Sequence, residues 1–192
     1  MEEDYVLPEL YFSKAAALAY EKNKRMQKVQ KEMAERAIEL LGMKKGRVLD
    51  VGCGTGFSMK ALQDAGFNAA GIDISEAMLE IARSKGFNVM RADFRSLPFE
   101  NESFDAIISI SALQWVHGKS YEEVVDYYRD IASEFHRVLA KKGRAVVQFY
   151  PKTEQEFSLC VRSFVKAGFS VTIAEDYPDI PKKRKRYIIL QK

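Results

Sequence analysis

The sequence has 192 residues, 47% of them hydrophobic and 30% charged, with a formal net charge of +3. That length suits one domain able to bury a proper core. No apolar run approaches the roughly 20 residues a membrane-spanning helix needs, and the start, MEEDYVLPELYF, lacks the basic and apolar stretches of a secretory signal, so a single cytoplasmic domain over residues 1–192 is expected.

Along the chain, residues 13–41 read as helix with a break near Tyr20, because Val29, Met33, Ala37 and Leu40 or Leu41 recur at helical spacing and Gly42 supplies a stop. This helical region, 1–42, is expected to cover a ligand site. Residues 47–51 form a buried strand, followed by a glycine turn and a helix over 55–65. A second strand covers 68–72. Ser75 caps the next helix, with Glu76 beside it to suit the helix dipole. Strands follow at 87–91 and 104–109, then a long amphipathic helix over 121–139, a strand over 143–149 and a helix over 153–166. Strands at 169–174 and 187–190 close the chain with no helix between them, so they can pair antiparallel. The fold class is therefore α/β: a seven-stranded, mostly parallel sheet with helices on both faces and a C-terminal antiparallel hairpin, a pattern that resembles Rossmann-like methyltransferases.

The two cysteines, Cys53 and Cys160, and two histidines, His117 and His136, show no CxxC or HxxxH spacing, so no metal is expected. Lysines and arginines gather at 22–31, 141–144 and 182–186. They read either as solvated faces or as a phosphate-contacting surface.

The strongest motif is VLDVGCGTG at 48–56, between a strand and a helix. Asp50 ends the strand, and Gly52, Gly54 and Gly56 let the backbone turn sharply and approach a ligand closely. The spacing is G-x-G-x-G with Phe57 next, not the G-x-G-x-x-G of a pyrophosphate-binding turn, which disfavours a nicotinamide dehydrogenase. It is similar to the turn of S-adenosylmethionine-dependent methyltransferases. Asp73, 23 residues after Asp50, ends the second strand, where a carboxylate can accept both ribose hydroxyls of a nucleoside. Ile74 and Met78 follow it as further cofactor-binding candidates. Asp93 can accept from an adenine amino group and Phe94 can cover the ring.

SISALQWV, 109–116, follows the fourth strand at the switch point of the sheet, where ligands bind. Ser109 is placed with the cofactor, and Ser111, Gln114 and Trp115 with the acceptor. Trp115 reads either as a core or lid aromatic or as a base-stacking ring. His117 could act as a base. Tyr150 and Pro151 extend the acceptor wall. Tyr20 and Arg25 belong to the covering helices, from which Arg25 could meet a methionine carboxylate.

GIDISEAML, FDAIISISALQWV, GRAVVQFYP with Glu154 and Gln155, and AEDYP followed by lysines occur here in one order, after PELYF and AYEKNKRMQKVQKEMAERAIELL. Over nearly its whole length the chain resembles the small-subunit rRNA guanine-N7 methyltransferases, the eukaryotic enzyme and its archaeal relatives. The resemblance implies S-adenosyl-L-methionine held by Asp50, Gly52, Gly54, Gly56, Asp73 and Asp93. It implies a guanine of the small ribosomal subunit or its precursor as acceptor, and a small zinc-ribbon activator protein as partner. Eukaryotic members continue into a lysine-rich tail, whereas this sequence stops shortly after its last predicted strand. Two other readings stand beside it: a small-molecule methyltransferase, and a non-catalytic S-adenosylmethionine-binding assembly factor. The third strand is expected at a sheet edge. Phe87, Val89, Met90, Phe94, Leu97 and Phe99 are too many apolar groups for that edge alone, so a partner is expected to add a strand and cover part of them.

Overall fold

A computed structural model describes residues 11–180 and 183–192. Residues 1–10 and 181–182, with part of the PELYF segment and of the last basic cluster, lie outside the described residues.

Two helices open the described chain, α1 (Lys14–Lys22) and α2 (Lys24–Leu41). The break falls at Asn23, three residues later than expected. The Asn23 side chain accepts from the backbone N–H of Met26 at 3.0 Å and so starts a new helix. α2 buries Met33, Ala34, Ala37 and Leu41 and ends at Gly42, whose φ of 64° is left-handed.

The rest is β1 (Arg47–Val51), α3 (Phe57–Asp64), β2 (Asn68–Asp73), α4 (Glu76–Ser84), β3 (Val89–Arg91), β4 (Phe104–Ile110), a 3-10 turn (Leu113–Trp115), α5 (Tyr121–Val138), β5 (Leu139–Gln148), α6 (Glu154–Lys166), β6 (Ser170–Asp176) and β7 (Lys185–Gln191). The strands form one sheet in the order β3-β2-β1-β4-β5-β7-β6. The first five strands run parallel, and β7 is antiparallel to both β5 and β6.

Alternation along the strands divides the core. Val48, Ala106, Ile108 and Val146 face α2 and α3. Leu49, Ile107, Ala145 and Val147 face α5 and α6. Helices therefore cover both faces, and the order in which strands are added to the sheet reverses between β1 and β4. That leaves a crevice at the carboxyl ends of those strands, which is where this architecture binds ligands.

The last two strands extend to Asp176 and from Lys185, two residues beyond expectation at the hairpin, and two others differ in ways with a visible cause. β3 is three residues long, not five, because Phe87 N–H closes the end of α4 on Ala82 O at 3.3 Å. β5 starts at Leu139, not Gly143: its pairing with β4 resumes at Ala106–Arg144 after a bulge that holds Lys142 at φ 63°. Cys53 and Cys160 are both free and buried. Among the described residues no helix is long and apolar enough to cross a membrane.

Candidate active site

The glycine turn is tied to β2. The N–H groups of Gly52 and Cys53 both donate to Ile72 O, at 2.8 and 2.9 Å. A Cβ on Gly52 would fall 2.3 Å from the Ala112 Cβ, so only glycine lets the turn pack against the segment after β4. Gly54, at φ 53°, has nothing within 4 Å of that position, so its backbone lies open.

Asp73 is the second anchor. One carboxylate oxygen accepts from Gly54 N–H and the other from Ser75 N–H, both at 2.9 Å. Burial raises its pKa, and the backbone donors pull against that. Asp50 is fully buried beneath the turn, and one of its oxygens accepts from the Ser58 hydroxyl. Burial pushes the Asp50 carboxyl up to about 7, the Ser58 bond opposes this, and the Asp73 charge adds to it.

These elements surround a cavity of about 680 Å³. Gly52, Gly54, Asp73, Ile74, Met78 and Phe94 line it on the β1–β2 side. Tyr20 and Arg25 line it from the covering helices, and Ser111, Gln114, Trp115 and Tyr150 from the carboxyl ends of β4 and β5.

The other sequence candidates are not among the lining residues. Asp50 and Gly56 support the turn from behind: Gly56 caps α3, and its backbone lies against the Phe87 ring. The Ser109 hydroxyl is spent on Val51 O at 2.9 Å, joining β4 to β1. Asp93 is paired with Arg95: both its oxygens lie 3.0 Å from Arg95 Nε, and against the upward push of burial this pairing holds its carboxyl below the usual range. Pro151 is likewise absent from the lining. His117 stands outside the cavity with its Nε2 2.6 Å from Lys152 Nζ, and burial lowers its pKa.

The cavity wall at the carboxyl ends of β4 and β5 hangs on a strained residue. Ser111 has a φ of 55°, unfavourable for a non-glycine residue. It is held there by its N–H on Gln148 O at 2.8 Å and its hydroxyl on Gln148 Oε1 at 3.1 Å. The turn that follows carries Gln114 and Trp115 to the cavity. Gln114 Oε1 is buried with no hydrogen-bond partner among the described residues. Tyr150 donates to Met33 Sδ at 3.3 Å, and burial raises its phenol.

Sequence reasoning did not name Gln148, Phe57, Tyr11 or Phe12 as site residues. A glutamine inside the apolar strand VVQFY was the available signal for Gln148. The rings form a continuous series along the cavity: Phe57 to Tyr20 5.5 Å, Tyr20 to Phe12 6.1 Å, Phe12 to Trp115 5.4 Å and Trp115 to Tyr11 5.1 Å between centroids.

The basic clusters are less free than their sequence suggests. Arg186 lies 4.5 Å over the Phe157 ring and bonds Glu154 at 2.7 Å. Lys28 and Lys31 pair with Glu32 and Glu35 along α2, and Arg144 donates to Leu41 O. Lys183 and Arg184 are exposed beside the carboxyl end of the sheet.

Residues 49–147 match the family described as "Methyltransferase domain". The chain is 40% identical over 191 residues to the 18S rRNA (guanine-N(7))-methyltransferase of Bos taurus, covering 95% of this chain and 68% of that one. In fold it is similar to a chain from the complex between the Haloferax volcanii Trm112 methyltransferase activator and its partner methyltransferase. That match has a TM-score of 0.69 and 19% identity, over 93% of this chain and 96% of the other. It is also similar to the phosphoethanolamine N-methyltransferase 2 of Haemonchus contortus, with a TM-score of 0.76 and 16% identity over 97% of this chain and 59% of that one.

Proposed function

The chain belongs to the 18S rRNA (guanine-N(7))-methyltransferase family of S-adenosylmethionine-dependent methyltransferases, and we propose that its own acceptor is a guanine N7 in small-subunit ribosomal RNA or its precursor. The observation that carries this reading is the similarity to a curated rRNA enzyme over 95% of the chain.

The cavity fits the cofactor. Its volume is of the size that nucleoside ligands need. Gly54 presents open backbone, and Asp73 keeps acceptor capacity beyond its two N–H donors. Asp73 would hold the ribose hydroxyls. Ile74, Met78 and Phe94 would flank the adenine, and Arg25 would meet the methionine carboxylate. When bound, the cofactor supplies an electrophilic methyl group on a sulfonium.

The chain's own work is alignment and exclusion of water. Guanine N7 carries a lone pair and no proton, so its attack needs no general base. The placement of His117 outside the cavity agrees with that. The Ser111 turn aims Gln114 and Trp115, and β5 aims Tyr150, at the space an extruded base would fill. Exposed Lys183 and Arg184, with Lys152, would meet phosphates at the same end of the molecule.

A zinc-ribbon activator completes the reading, together with a cytoplasmic location. Its support is the edge strand β3 and the Trm112 complex in which a fold neighbour was solved. Labelled methyl transfer tests the substrate class. Bulk RNA, total protein and a metabolite extract would each be offered tritiated cofactor, with and without the zinc-ribbon protein. Label is expected in RNA and is expected to rise with the partner. Label in the metabolite extract alone would overturn the reading in favour of a small-molecule acceptor.

A further inference from the structure

The transfer proposed above forms one bond, from guanine N7 to the methyl carbon, and breaks one, from sulfur to that carbon. The N7 lone pair becomes the new bond, the old bonding pair stays on sulfur, and no proton moves. The positive charge therefore passes from sulfur to the purine ring. The site must hold a cation before the transfer and a different, flat cation after it.

The lining offers little ionic help at the acceptor end. Asp73 lies at the opposite side, with both carboxylate oxygens engaged by backbone N–H groups. The residues from Ile110 to Trp115, with Tyr11, Phe12 and Tyr150, bring neither a carboxylate nor a cation to the cavity. What they bring is aromatic surface. Tyr11 is 54% exposed and Tyr150 45% exposed, and the Tyr11 ring lies 5.1 Å from Trp115 at 50°. Aromatic faces attract a delocalised cation without a counter-ion, and do so more strongly when water is displaced.

We infer that Tyr11, Trp115 and Tyr150 form a cation-holding clamp for the methylated purine, so that the protein binds a 7-methylguanine nucleotide more tightly than guanine itself. This rests on the guanine N7 reading. The clamp stabilises the charge as it develops on the acceptor, and it slows departure of the product.

Trp115 is the sole tryptophan of the chain, so its fluorescence reports on the clamp directly. The full chain, loaded with S-adenosylhomocysteine, would be titrated with GMP, 7-methyl-GMP, AMP and 1-methyl-AMP. The last is a purine made cationic at another nitrogen. 7-Methyl-GMP is expected to quench at concentrations about tenfold lower than GMP. Tyr11→Ala should abolish most of that difference, and Tyr11→Phe should keep it. Tyr11 is exposed, so neither change threatens the fold, and unchanged thermal unfolding would verify that.

A preference for both methylated nucleotides over their parents, equal for the two purines, upholds the clamp and removes its support for guanine as the acceptor. Equal quenching by each methylated nucleotide and its parent overturns the clamp, whatever the methyl-transfer assay gives. Absence of quenching by any of the four overturns it too.

Discussion

The backbone N–H of Gly54 donates to Asp73 Oδ2 at 2.9 Å, so the glycine turn after β1 and the carboxylate that ends β2 form one unit. Replacing Asp73 would free the turn and, on the proposed reading, remove the ribose acceptor together. Asp73→Ala is expected to cost about 2–4 kcal/mol of cofactor affinity, the worth of one or two charge-assisted bonds. Calorimetric titration checks this, and unchanged affinity would exclude Asp73 from the cofactor site.

Asp50 gives a pH dependence of definite sign. Burial raises its folded pKa to about 7, from an unfolded value of about 4. The folded state then holds a proton that the unfolded state has lost between those values, so Asp50 costs stability as pH rises from about 4 to 7. Other carboxyls, such as Glu134 and Asp93, are shifted downward and act oppositely, so a difference is needed. The stability of Asp50→Asn relative to the parent protein should grow across that window, by up to a few kcal/mol, and stay flat above about pH 8. Denaturant melts at four or five pH values measure it. A relative stability that falls as pH rises would contradict the assignment.

The last basic cluster should divide by role. Arg186 secures β7 to α6 through Glu154 and the Phe157 ring, and to β6 through Glu175. Arg186→Ala should lower the unfolding midpoint by a few degrees and change RNA affinity little. Replacing Lys183 and Arg184 by Gln should do the reverse: weaker RNA binding and a salt dependence shallower by about one to two in log–log slope. Filter binding over a salt series, with parallel thermal melts, separates the two. Equal losses of RNA affinity would place Arg186 on the RNA face after all.

Much of the fold was legible in the sequence because its signals are local. Glycine spacing, capping Ser75 and alternating apolar residues each act within a few positions, and strand order follows from the way α/β units connect. The errors also have local causes. Asn23 is a stronger helix start than any residue near Tyr20 is a helix stop, and Phe87 served the end of α4 instead of β3. The site was less legible where side chains choose between partners. Asp93 could face adenine or its neighbour Arg95, and sequence spacing does not decide that. Tyr11 and Phe12 meet Trp115 across roughly a hundred residues, and no periodicity encodes such a contact.

The apolar surplus read at the third strand is mostly absorbed by the protein itself. Leu97 is buried, Phe94 lines the cavity, Phe99 packs 4.8 Å from Phe104, and Phe87 and Val89 pack against Met59 and Leu79. Met90, 42% exposed, remains on the open edge of β3. A zinc-ribbon partner that adds a strand there should therefore depend on backbone pairing and Met90 more than on a broad apolar patch. Met90→Lys should weaken a one-to-one complex by tenfold or more, about 1.4 kcal/mol, and leave cofactor binding intact. Co-purification and calorimetry check this. Full activity from a well-behaved monomer without the partner would contradict the partner's role.

The most direct measurement of the proposed activity is chemical mapping of 7-methylguanosine in small-subunit rRNA. Borohydride reduction followed by aniline cleaves RNA at that nucleotide. Ribosomal RNA would be compared from the source organism, from a deletion strain, and from that strain carrying the parent gene or Asp73→Ala. One cleavage is expected to disappear on deletion, return with the parent gene and stay absent with Asp73→Ala. The same cleavage pattern in the deletion strain as in the parent would contradict the assignment of guanine N7 in this RNA as the acceptor.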